Sequence, residues 1–142
     1  MTLEELQEQV DKDLKINDTE LDLESLKTPQ LHNKYLKHYN NFKLLITRAE
    51  SDYKILKRVK WEYYTGKASP DVYKQKPFNL KIMKSDIDKY LESDEELIKA
   101  KQKIDYLETV VNYLDRTLKI IGGRDWQIRN SIEWRKFTSG AI

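Results

Sequence analysis

Residues 28–66 read TPQLHNKYLKHYNNFKLLITRAESDYKILKRVKWEYYTG, and this stretch decides the fold. Thr28 followed by Pro29 has the form of a helix start, a capping residue ahead of a proline whose missing N–H would be unpaired there anyway. Gly66 is a natural stop, because glycine takes the left-handed conformation that closes many helices. Between them Tyr35, Tyr39, Phe42, Ile46, Ala49, Tyr53, Leu56, Lys60 and Tyr63 recur in strict four–three alternation, the rhythm that lays one stripe of a helix against a partner helix. Only Lys60 interrupts the stripe chemically. An unbroken helix here would be roughly 55 Å long.

A second stripe lies downstream at Leu97, Ala100, Ile104, Leu107, Val111, Leu114, Leu118 and Ile121, ended by Gly122-Gly123. Ser93 with Glu96 has the form of a capping box, and so has Thr2 with Glu5. The latter opens a short amphipathic helix carrying Leu3, Leu6, Val10 and Leu14. Residues 15–27 read as an acidic, less regular connection. Residues 67–84, with Pro70 and Pro77, read as a basic loop. A short helix is expected over Asp86–Leu91, and a last one from near Asp125. The expected fold is all-α, a long antiparallel helical hairpin with short N- and C-terminal helices. The hairpin leaves Leu31, Leu36, Leu45, Ile55 and Val59 over, together with an aromatic-rich C-terminal segment. Identical chains are the economical partners for such surplus apolar surface.

Composition agrees with helices that complete their burial by association. The 142 residues are 35% charged and 39% hydrophobic, with a mean hydropathy of −0.80. Net charge is only +2, but it is blocked along the chain. Residues 1–30 carry nine acids and three bases, and residues 53–84 carry nine bases and two acids. Residues 85–115 turn acidic again and residues 116–142 turn basic, so one segment is suited to polyanions while others repel them. With no cysteine, disulfides, thiolate catalysis and Cys-ligated metals are excluded. The N-terminus lacks a basic, apolar leader and no apolar run approaches a membrane span, so a soluble intracellular chain with no membrane partner is expected.

Catalytic constellations are nearly absent. The four glycines form no phosphate-binding loop. His32 and His38 are six apart, off a common helical face. The acids Asp86, Asp88, Asp94, Glu95 and Glu96 sit at expected helix starts, where they complement the helix dipole, rather than forming a magnesium site. No enzyme activity, metal or cofactor is therefore expected. The informative segment is Tyr53 to Lys67, where Lys54, Lys57, Arg58, Lys60 and Lys67 interleave with Trp61 and Tyr64, and Lys74 and Lys76 follow. Cations neutralise phosphates while aromatic faces stack on unpaired bases, a pairing suited to single strands. Lys60 has a structural alternative, as a polar residue setting the register of the helix pair.

Leu3-Glu4-Glu5-Leu6-Gln7-Glu8, Arg58-Val59-Lys60, Tyr63-Tyr64-Thr65-Gly66-Lys67 and Arg135-Lys136-Phe137 near Gly140, in this order and spacing, resemble the UvsY recombination mediators of T-even-type phages. The resemblance implies a helical protein assembling into a hexamer- or heptamer-type ring in the cytoplasm of the infected bacterial host. It implies single-stranded DNA binding, contact with the phage single-strand-binding protein, and loading of a RecA-like phage recombinase onto the covered strand. The family's DNA-binding basic pair falls on Arg58 and Lys60, in reversed order. Residues 1–92 are then expected to form the DNA-binding part and residues 93–142 the oligomerisation part. In the latter, Leu107, Val111, Leu114, Leu118, Trp126, Ile128, Ile132, Trp134 and Phe137 are the expected assembly residues. The alternative is a structural helical adaptor without direct DNA contact.

Overall fold

The four–three stripe runs along one helix, and that helix begins well before the Thr28-Pro29 pair. In the computed structural model, which describes residues 1–140, it spans Leu21–Tyr64 (α2, 44 residues) with Pro29 in its interior. Ala141 and Ile142, the end of the expected 93–142 part, lie outside the described residues. The early start has a physical reason. Leu21, Glu24, Thr28 and Leu31 carry the same spacing backward from Tyr35, and burial of that stripe outweighs the backbone bond that an interior proline forfeits. Pro29 itself lies off the stripe and is exposed.

The chain divides into two compact units, residues 1–42 with those from 109 onward, and Lys43–Glu108. Each draws on both sides of residue 92, because each contains a paired stretch of α2 and of α5 (Glu95–Gly122).

In the first unit, α1 (Leu3–Asp13) opens with the expected capping box. The Glu5 N–H donates to Thr2 Oγ1 at 3.2 Å and the Thr2 N–H to Glu5 Oε2 at 2.9 Å. Leu6 and Val10 bury its apolar face. At its end, Asp13 accepts from Lys34 at 2.6 Å and from the Tyr35 hydroxyl at 2.7 Å. Burial pushes the Asp13 carboxyl up, but these two donors outweigh it and hold the group below its ordinary value. Leu21, Tyr35 and Phe42 of α2 join Val110, Val111, Leu114 and Ile121 of α5 and Ile128 of α6 (Arg124–Ser139) in the core.

The largest buried polar side chain of this core is Arg124, 2% exposed. Its guanidinium donates to the Glu24 carboxylate, to the Glu24 backbone carbonyl and, at 3.0 Å, to Thr28 Oγ1. Thr28 therefore does not cap a helix, as its sequence context suggests, but accepts a hydrogen bond inside one. Arg124 reaches Glu24 while Tyr113 neighbours Tyr35, so α2 and α5 run in opposite directions here.

The second unit holds the rest of α2, α3 (Pro70–Gln75), a 3₁₀ turn over Lys84–Asp86, α4 (Ile87–Glu92) and the start of α5. The basic segment 67–84 is thus not wholly loop, since Pro70 begins α3 from the first-turn position that suits proline. The start of α5 also differs from its expected form. Asp94 is the cap, its Oδ1 accepting from the N–H groups of Glu96 (3.0 Å) and Leu97 (3.1 Å), while Ser93 Oγ turns back to the Lys89 carbonyl at 2.8 Å. Lys60 meets Glu96 and Tyr64 meets Asp94, so α2 and α5 are antiparallel in this unit too. Among the described residues there is no strand.

Removing Arg124 leaves the buried Glu24 carboxylate with Lys27 alone, at 2.7 Å, and takes away the donor that the Glu24 carbonyl and Thr28 Oγ1 share. Arg124→Met is expected to lower unfolding stability by about 3 kcal/mol, since the carboxylate keeps one cation. Urea titration followed by helical circular dichroism checks this, and a midpoint equal to that of the parent chain would refute the role given to Arg124.

Candidate nucleic-acid interface

The site begins where α2 ends. The Lys67 N–H donates to the Glu62 carbonyl at 2.8 Å and the Gly66 N–H to the Tyr63 carbonyl at 3.4 Å, the paired bonds of a glycine-closed helix terminus. Gly66 has φ +78°, a left-handed conformation that a side chain would strain. This reversal brings residues 67–84 back over the end of the helix.

Aromatic rings then fix that segment. Tyr73 stacks on Tyr63 at 5.5 Å, and its hydroxyl donates to the Tyr63 carbonyl at 2.8 Å. The Tyr63 hydroxyl donates to the Lys76 carbonyl at 3.1 Å. Phe78 packs 5.3 Å from both Tyr63 and Tyr64, and Tyr90 lies 5.6 Å from Tyr64. These rings build the site. Tyr64 is one of them, half-buried, with its hydroxyl donating to Asp94 at 2.6 Å. Burial first, and then that bond to a carboxylate, push the Tyr64 phenol well above its ordinary value.

Lys60 faces the same way. Its side chain is 14% exposed, and Nζ lies 3.4 Å from Asp94 Oδ2 and 3.3 Å from Glu96 Oε2. Glu96 also pairs with Lys76 at 3.2 Å. Burial pushes the Asp94 carboxyl up, but the Tyr64 and Leu97 donors and the Lys60 charge outweigh it and hold it below its ordinary value. Hydrogen bonds from Lys76 and then Lys60 lower Glu96.

Lys54, Lys57, Arg58 and Trp61 face elsewhere. At about 100° per residue they fall within roughly a 100° arc of α2, and Lys60 falls outside it. They surround, with Leu91, a shallow depression of about 310 Å³. Arg58 is 68% exposed, with Glu62 only at 3.9 Å. Trp61 also borders a second groove of about 730 Å³, shared with Tyr64, Phe78 and Leu80 and flanked by Lys67, Lys81 and Lys84. The Lys67 ammonium stands 4.3 Å from the indole centroid.

The structure therefore brings together Lys54, Lys57, Arg58, Trp61 and Lys67. It turns Lys60 and Tyr64 inward, engages the exposed Lys76 with Glu96, and leaves Lys74 on α3 outside both depressions. Lys81 and Lys84 add to the basic stretch in the sequence without standing among the expected site residues, and Asp94 and Glu96 read there as helix-start acids. A lysine within an apolar stripe was the signal that acids must face it.

The expected assembly residues also separate. Leu107, Val111, Leu114 and Ile128 are buried, and Leu118 and Ile132 are half-buried. Trp126, Trp134 and Phe137 are each 65% exposed, with Trp134 stacked on Phe137 at 5.8 Å.

The profile of the family described as recombination, repair and ssDNA binding protein UvsY matches residues 9–141. The recombination protein uvsY of enterobacteria phage T4 is 26% identical over 140 residues, covering 99% of each chain. The fold is similar to crystal structures of the bacteriophage T4 recombination mediator protein UvsY. One matches with a TM-score of 0.84 at 26% identity over 98% of both chains. Another matches with a TM-score of 0.85 at 25% identity, over 96% of this chain and 99% of that one.

Lys60→Met is expected to lower unfolding stability by about 2 kcal/mol, the size of a lost charged hydrogen bond, whereas Arg58→Ala leaves it unchanged within error. Because Asp94 and Glu96 titrate below their ordinary values when folded, their contribution is complete above the carboxylate range and drains away as pH falls through and below it. Asp94→Asn keeps a capping side chain, so it should flatten the acid limb of stability against pH while preserving helical content. An unaltered acid limb in that variant would refute the network.

Proposed function

The chain belongs to the UvsY family, and from that membership we propose that it is a recombination mediator, which binds single-stranded DNA and helps load a RecA-like phage recombinase onto strands covered by the phage single-strand-binding protein. The observation that carries this reading is the convergence of Lys54, Lys57 and Arg58 on one exposed face beside Trp61, in a chain whose family is described as ssDNA-binding. The exposed cations supply phosphate contacts that displace counterions, and mediation requires no covalent step.

Assembly multiplies the effect. Several copies on one strand turn modest affinity per subunit into tight binding, and a hexamer- or heptamer-type ring of this chain would bend the strand as it does so. Trp126, Trp134 and Phe137, each largely exposed, are the surface on which we place that self-association. The division into a DNA-binding part (residues 1–92) and an oligomerisation part (93–142) is one of roles rather than of compact units. The site of action would be the cytoplasm of the infected host. No helix of the described residues is long and apolar enough to cross a membrane.

In strand exchange on single-stranded DNA precoated with the single-strand-binding protein, the chain should shorten the lag before the recombinase acts. Binding of DNA without any shortening would reduce the protein to a DNA-coating role, and shortening without DNA binding would favour the adaptor reading. Trp126→Ala, Trp134→Ala and Phe137→Ala combined should lower the assembly mass in light scattering with helical content kept, because Arg124 and Ile128 still anchor α6. An undiminished mass would place the assembly surface elsewhere.

A further inference from the structure

We infer that the larger groove, between Trp61 and the 78–84 segment, holds one unstacked nucleobase, with the Trp61 indole as its stacking face and Lys81 and Lys84 on the adjoining phosphates. The inference rests on the single-stranded-DNA reading and sharpens it, since binding to phosphates alone would need no groove.

Three observations carry it. The first is the ring itself. Tyr64 and Phe78 are braced by other rings, whereas Trp61 is 38% exposed and its indole meets the Lys67 ammonium instead. An exposed indole next to positive charge is the arrangement that stacks on bases irrespective of their identity. The second is shape. A concavity of about 730 Å³ falls within the range that encloses small organic ligands, and its inner surface is mostly apolar, with Phe78, Ile82 and Ile87 half-buried beside Thr65. A duplex, whose bases are already stacked and paired, could offer nothing to such a floor. The third is the distribution of charge. The exposed members of the lining include Lys67, Lys81 and Lys84 against the single acid Asp88, so cations stand at the mouth and apolar groups below. A base has the same two-part character, a flat apolar ring flanked by phosphates. Trp61 also borders the shallower depression below Lys54, Lys57 and Arg58, so a strand following those cations reaches the indole without leaving basic surface.

The test compares a short oligothymidylate with an abasic deoxyribose-phosphate oligomer of equal length, which keeps every phosphate and removes every base. The parent chain should prefer the base-bearing oligomer about tenfold, equivalent to ~1.4 kcal/mol. Trp61→Ala should bind the two equally, at the parent's affinity for the abasic oligomer, and Trp61→Phe should keep most of the preference. Equal binding of the two oligomers by the parent chain would overturn the inference while leaving phosphate-driven binding intact. So would a Trp61→Ala chain of normal helical content that loses both affinities alike. Binding of neither oligomer by the parent would overturn the single-strand reading itself. Displacement of an acidic peptide, with no preference between oligomers, would assign the groove to a protein partner instead.

Discussion

A lysine in an apolar helix seam must be neutralised, and the way Lys60 is neutralised organises the basic end of α2. With Asp94 and Glu96 taking its charge, the end of α2 is held against the start of α5 in a single register, and the Tyr64–Asp94 bond and the Lys76–Glu96 pair attach to the same acids. An ion pair of this kind adds little net stability over a well-packed apolar pair, but an unpaired charge there is costly, so it selects one alignment over its neighbours. Turning Lys60 inward also fixes what turns outward. The helical repeat then places Lys54, Lys57, Arg58 and Trp61 together on an adjoining face, centred about 110° round the helix from Lys60.

The first unit solves the same problem with opposite charge. Glu24 and Thr28 occupy stripe positions of α2, and Arg124 supplies the donors both require. Each unit thus has a polar lock set in an apolar stripe, one with the cation on α2 and one with the anion there. Specificity of alignment matters to a protein built from long helices, because a helix seam of Leu, Ile and Val alone tolerates slippage by a heptad.

The periodic features were legible in the sequence. Both stripes, the Thr2–Glu5 box, Gly66 as a terminator and the all-helical class all follow from spacing and residue type. What misled was local chemistry that tertiary contacts outrank. Thr28-Pro29 looks like a start until Leu21, Glu24 and Thr28 are seen to continue the stripe, and Ser93 looks like a cap beside the stronger Asp94. In the basic stretch, composition marked the region but not the division within it. Arg58 and Lys60 share a charge and opposite fates, which the spacing of Lys54, Lys57, Arg58 and Trp61 could have separated. The groove beside Trp61 was not legible, because it depends on how residues 67–84 are braced by Tyr63, Tyr73 and Phe78.

That division between an inward lysine and an outward arginine is open to a binding experiment with two variants. The dependence of single-stranded-DNA affinity on salt concentration counts phosphate contacts, with a logarithmic slope of about 0.7 for each contact on a single strand. Measured on Arg58→Ala and on Lys60→Met, the slope per subunit should fall by about 0.7 in the first and stay at the parent value in the second. A slope lowered equally by both changes would mean that Lys60 leaves Asp94 and Glu96 to meet the strand, and the separation of an inner network from an outer binding face would be wrong.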